Sequence, residues 1–305
     1  KESTLMTSID LESLLTTIYV LVDDWYQAKG QALLSGKPGT KATFSDSEML
    51  TLMLVQDFIP YPGETQYVAF LRANLRHLFP QLLDQSQFNR RARGLLNVLE
   101  RLRREWVVHL TGGEVKQVLL DTKPIPVMGN KRSKRHSDFA GSAAYGYCAA
   151  RNLNYFGYKL VLLTDLDGLP LVYDLVPANT NERQAAESVL WRVSDCDVFG
   201  DKGFLGQDWQ AEVRQQTANR VWTPKRANQA AQNPTDFDRL LNRIRERIEG
   251  TFHQLQNTGR NVERLLAKTV HGLCTRIALK VTALVLKRLL QHDFGINVQS
   301  FSISH

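Results

Sequence analysis

The sequence predicts an α/β fold: a mixed five-stranded sheet with flanking helices, preceded by an all-α amino-terminal part. Three observations predict it. Apolar residues recur at a spacing of three and four through most of residues 9–110. After Gly112-Gly113 the pattern changes to short apolar runs bounded by turn residues, at 115–121, 156–164 and 169–176. Two more short runs, at 197–201 and 220–223, then alternate with helical stretches, which is the pattern of a layered sheet.

Each element has its own signal. Residues 9–25 carry Leu11, Leu14, Leu15, Ile18, Leu21 and Val22 on one helical face. Ser45-Asp46-Ser47-Glu48 is a capping box that opens a second helix. Pro60-Tyr61-Pro62-Gly63 breaks the chain, and helices follow at 64–78 and 86–110. Residues 115–121 form the first strand. Residues 128–146, rich in glycine, serine and basic residues, read as a long loop. The strands at 156–164 and 169–176 are joined by Asp165-Leu166-Asp167-Gly168, a hairpin turn whose aspartates serve the turn and not a metal. Helix 181–193, strand 197–201, helix 207–216 and strand 220–223 come next. Pro234-Thr235 opens a long helix to about 256, with Leu241, Ile244, Ile248, Phe252 and Leu255 as its buried stripe. A last helix covers 270–290; Arg276, Lys280, Lys287 and Arg288 interrupt it, so it is read as amphipathic and not as a membrane span. The domains expected are 1–112, helical, for DNA binding or assembly; 113–258, the catalytic sheet; and 259–305, a carboxy-terminal helix packed on the core.

This order of strands and helices matches the ribonuclease H-like fold, in which the strand at 115–121 lies beside the strand at 197–201. Asp121 and Asp201, 80 positions apart, would then be neighbours at two strand ends. Glu249 sits beside the buried stripe of the long helix, where it can face them, whereas Glu246 points to the side. Three carboxylates so placed are suited to a pair of divalent cations, the arrangement used to cut and rejoin a phosphodiester backbone.

Composition agrees with such a substrate. Lysine and arginine number 38 against 31 acidic residues, a formal charge of +7 that favours a polyanionic partner. The cations crowd at 90–104, 131–135 and 225–247. Three cysteines, none at zinc-ligand spacing, argue against a zinc finger or a disulfide framework and fit a reducing cytoplasm.

These residues resemble the DDE transposases of bacterial insertion sequences, most closely the branch numbered nine-eight-two. The resemblance rests on Leu120-Asp121-Thr122-Lys123-Pro124, Tyr158-Lys159-Leu160, Asp167-Gly168, Pro177-Ala178-Asn179 with Glu182, Gly200-Asp201-Lys202-Gly203-Phe204, and Arg245, Glu249, Phe252 and Leu255 on the long helix. It covers nearly all of 115–290. It implies DNA transposition, with Asp121, Asp201 and Glu249 as catalytic residues holding two Mg²⁺ ions that Mn²⁺ can replace. It implies double-stranded DNA partners, namely terminal inverted repeats and target DNA. It also implies a homodimer or higher assembly, and a cytoplasmic, nucleoid-associated protein. Lys123, Arg135, Lys202, Lys225, Arg226, Arg245 and Gln256 are the expected DNA contacts. Gln256 stands where related transposases often carry a lysine, seven residues after the glutamate. The rival readings are a ribonuclease H-like nuclease without strand transfer and a domesticated DNA-binding protein.

Overall fold

A computed structural model describes residues 9–34, 42–59, 61, 63–128, 137–148, 152–225, 233–257 and 261–298. The chain divides into two compact units: Lys1–Leu110 together with Leu255–His305, and Thr111–Gln254.

The first unit is helical. α1 (Leu11–Trp25) is capped by Asp10, whose carboxylate accepts from the Ser13 amide. α2 (Asp46–Val55) begins with the expected capping box: Ser45 Oγ accepts from the Glu48 amide at 3.0 Å, and Glu48 Oε2 accepts from the Ser45 amide at 2.6 Å. Every residue of α2 from Met49 on is buried, so this helix is central to its unit. α3 spans Glu64–Asn74. The single helix expected over 86–110 is two, α4 (Gln85–Gly94) and α5 (Leu96–Thr111). Gly94 stands at the break, and glycine is among the weakest residues at holding a helix together.

The second unit is built on a sheet. Its elements are β1 (Gln117–Met128), β2 (Ala144–Cys148), β3 (Leu153–Thr164), β4 (Pro170–Pro177), α6 (Glu182–Leu190), β5 (Asp197–Phe199), α7 (Gln207–Thr217), β6 (Arg220–Trp222) and α8 (Thr235–Asn257). β3, β1, β5 and β6 lie in that order, and β2 and β4 share the other edge of β3. β1 runs antiparallel to β3, while β5 runs parallel to both β1 and β6. The sheet has six strands and not five, because β2 begins inside the stretch read as a loop and ends just after it. Its apolar signal is weak, since Tyr145 and Tyr147 both face outward. Gly146 is needed there: an added Cβ would lie 2.8 Å from the Ala178 Cβ and 2.9 Å from the Tyr155 ring. The β3–β4 connection is the predicted hairpin turn. Asp165 Oδ1 accepts from the amides of Asp167 and Leu169, and Gly168 has a φ of 82°.

α9 (Val270–Phe294) returns to the helical unit, where it packs on α2 and α4. Its burial differs from the expected amphipathic character. Between Leu273 and Leu290 it is buried on most of its circumference, so it needs partners on several sides. Two of its charges have acidic partners inside the unit: Arg276 lies 3.8 Å from Glu64, and Lys280 Nζ lies 2.8 Å from Asp57 Oδ1. Among the described residues no helix is long and apolar enough to cross a membrane.

Candidate active site

The sheet register places the two aspartates. Val118, Leu119 and Leu120 are buried and anchor β1 in the core. Leu119 pairs with Phe199 of β5 in parallel register. Two residues later come Asp121 and Asp201. Asp121 lies inside β1 opposite Leu162, and not at the expected strand end, because β1 runs on to Met128. Asp201 lies just past the end of β5, close enough for its charge to act on Asp121. β5 ends at Phe199, and Gly200 is held by its amide to the Trp222 carbonyl. A Cβ on Gly200 would come within 2.8 Å of the Phe204 ring, so the turn that carries Asp201 closes only with glycine. Each aspartate then accepts the amide of the residue after it: Thr122 to Asp121 Oδ1 at 2.7 Å, and Lys202 to Asp201 Oδ1 at 2.5 Å.

α8 covers this face. Leu241, Ile248 and Phe252 are its buried side chains within the unit. Arg245, on the same helical face, brings Nη1 to 3.5 Å from Asp201 Oδ1. Glu249, one turn further on, is exposed. Among the described residues no hydrogen bond or ion pair joins its side chain to either aspartate. Lys123 points inward: it is 8 % exposed, with Nζ 5.6 Å from the centre of the Phe252 ring. Such a side chain takes part in the β1–α8 packing.

Asp121 has an unusual acidity. The residue keeps part of its surface, but its carboxyl group lies deep among protein atoms. Burial, followed by the charges of Asp201 and Glu182, pushes its pKa up to about 7 against the pull of the Thr122 amide and Arg245. In metal-free protein this has a measurable consequence. Folding favours the protonated carboxyl between the ordinary value near 4 and about 7, so stability falls as pH rises through that window. Asp121→Asn removes this effect. At pH 8 the variant should be more stable than wild type in chelator, by at most ~4 kcal/mol, and the two should converge near pH 4. Urea unfolding at the two pH values measures it; an equal difference at both would contradict the burial.

The remaining expected residues are dispersed. Lys202 is exposed directly after Asp201, and Lys225 is half-buried after Pro224. Gln256 is half-buried in the last turn of α8. Arg135 and Arg226 lie outside the described residues. Three residues not singled out for the site stand next to it on the opposite sheet face: Thr122, Lys159 of β3 and Glu182 of α6. A second cluster lies in the helical unit. His109 Nε2 is 3.1 Å from both Asp293 oxygens, and His292 Nδ1 is 2.5 Å from Oδ1. These hydrogen bonds, at the carboxy-terminal ends of α5 and α9 where positive charge is favoured, account for it.

Asp121 and Asp201 offer only oxygen donors, and Asp121 is a buried carboxylate beside a like charge. That is a donor set for a hard divalent cation such as Mg²⁺ or Mn²⁺. A family model described as transposase DDE domain matches residues 115–286. Neither a curated protein nor a solved structure matches the chain.

Proposed function

The chain belongs to the DDE transposase family, and on that premise we propose that it cuts DNA at the ends of an insertion sequence and joins the freed ends to a target. The observation that carries this reading is the β1–β5 register, which ends at Leu119 and Phe199, two residues before Asp121 and Asp201, with the charge of Asp201 acting on Asp121. We read the sheet order β4-β3-β1-β5-β6, with its first three strands antiparallel and its last two parallel to β1, as ribonuclease H-like. The resemblance to the nine-eight-two branch belongs to the same reading.

Asp121, Asp201 and Glu249 are the proposed ligands. Two divalent cations, when bound, supply Lewis acidity at the scissile phosphate and lower the pKa of the attacking water or 3′-hydroxyl. The residues have distinct tasks. Asp121 gives up its proton when it becomes a ligand, so metal uptake near neutral pH releases protons. Arg245 holds Asp201 in place before metal arrives. Glu249, exposed on the next turn of α8, would complete the ligand set when metal is bound. Lys202 and Lys225, with Arg135 and Arg226, supply phosphate contacts along terminal repeat and target DNA. The acting species is a homodimer or larger assembly at the nucleoid.

A strand-transfer assay tests the proposal. Element-end DNA, target DNA and Mg²⁺ should give joined products that disappear in excess chelator. Cleaved ends without joining would support a nuclease; binding without cleavage would support a domesticated DNA-binding protein. Binding should weaken steeply with salt. Replacing Lys225 and Arg226 together by alanine should lower the slope of log affinity against log salt by up to about two units. An unchanged slope would place both away from phosphates.

A further inference from the structure

We propose that Glu182 is a positioning residue for Asp121, acting through Thr122 from the opposite face of the sheet. This rests on the reading of Asp121 as a metal ligand.

The β1–β3 register separates two sets of side chains. Thr122 pairs with Val161 and Pro124 with Lys159, whereas Asp121 pairs with Leu162 and Lys123 with Leu160. Thr122 and Lys159 therefore share one face, and Asp121 and Lys123 share the other. α8 covers the Asp121 face. The first turn of α6 meets the Thr122 face, and there Glu182 uses both of its oxygens. Thr122 Oγ1 donates to Oε2 at 3.0 Å, and Lys159 Nζ donates to Oε1 at 2.8 Å. Lys159 also donates to the Thr180 carbonyl at 2.7 Å, which ties the approach to α6 to β3.

An acid in the first turn of a helix, paired with a lysine, has a sufficient structural reason to exist. Two further contacts go beyond that reason. The residue Glu182 grips is Thr122, whose own amide donates to Asp121 Oδ1. The stem of Glu182 also lies against the loop after Asp201: a Cβ on Gly203 would meet Glu182 Cγ at 3.2 Å. One side chain thus touches both segments that carry the aspartates. Its oxygens are occupied by Thr122 and Lys159, which makes it a brace and not a ligand. Fixing Thr122 fixes the amide that orients Asp121 Oδ1. Groups that orient a metal ligand typically change metal affinity roughly 10- to 100-fold when removed.

The test is Mn²⁺ titration by calorimetry on the full chain, without DNA, alongside thermal unfolding. Glu182→Gln and Thr122→Val should each weaken Mn²⁺ binding by roughly 10-fold or more. The double variant should be no weaker than the weaker single one, because both break the same link. Thr122→Ser, which keeps the hydroxyl, should bind as wild type does. Should Glu182→Gln not fold, the comparison of Thr122→Val with Thr122→Ser decides: loss in valine alone supports the brace, and equal binding overturns it. Wild-type affinity in both singles, or losses that add fully in the double, would also overturn it. If wild type shows no Mn²⁺ binding that Asp201→Asn removes, the metal reading itself fails and the brace with it.

Discussion

Cleavage of element-end DNA is expected to fall by about 10³-fold or more in Asp121→Asn and in Asp201→Asn, equivalent to ~4 kcal/mol of lost transition-state stabilisation. Each change keeps side-chain volume and the acceptor used by the following amide, so neither should disturb β1 or the turn after β5. Circular dichroism and DNA affinity should stay near wild type. The charge is what is lost, and with it half of the paired oxygen donors that the register brings together. Glu249→Gln should fall to a similar degree, and it is the more informative variant. Its side chain is exposed one turn beyond Arg245, and only the loaded site would engage it. Wild-type cleavage in Glu249→Gln under matched Mg²⁺ would assign the third ligand elsewhere. Retained cleavage in either aspartate variant would sink the proposed chemistry.

The second large effect concerns stability. Lys280 and Asp57 form a buried ion pair, with side chains 2 % and 10 % exposed and 2.8 Å between Nζ and Oδ1. Removing one partner leaves the other charged, or forces it to neutralise, inside an apolar helical core. Lys280→Met is expected to destabilise the protein by about 3–5 kcal/mol. Combining it with Asp57→Leu removes both charges and should recover most of the loss. Chemical denaturation of the single and double variants measures both quantities. A loss below about 1 kcal/mol in Lys280→Met would show that water reaches the pair.

Local signals carried much of the fold. The capping box at Ser45 and Glu48, the Asp165 turn and the buried stripe of α8 all depend on residues close in sequence; the first two appear as expected, and the stripe does so at Leu241, Ile248, Phe252 and Leu255, with Ile244 half-buried. What was hidden depends on distant partners. β2 is an edge strand whose exposed positions carry tyrosines, so its alternating exposure is not written as apolar against polar residues. Arg276 and Lys280 of α9 looked like part of a solvated face because their partners, Glu64 and Asp57, lie more than two hundred residues earlier. The same holds at the site. The nearness of Asp121 to Asp201 was legible from the order of the strands, but the continuation of β1 past Asp121 to Met128 was not. The inward turn of Lys123 was not, because it depends on Phe252 of α8. Nor was the link of Glu182 to Thr122, which spans 60 positions and reaches β1 from the α6 side.

The helical unit is assembled from both ends of the chain, with the whole sheet unit between them. A ribosome therefore releases Asp57 long before its partner exists. The two are 223 residues apart, and at about 5–20 residues per second the wait is on the order of ten seconds or more. During that interval α1 to α5 lack the helix that fills their core, while residues 111–254 are complete and free to fold. Vectorial synthesis thus finishes the sheet first and the helical unit last. A chain truncated before α9 would carry a finished sheet unit and an amino-terminal region with no closing helix, a target for chaperones and proteases. Both units close only once α9 has been made.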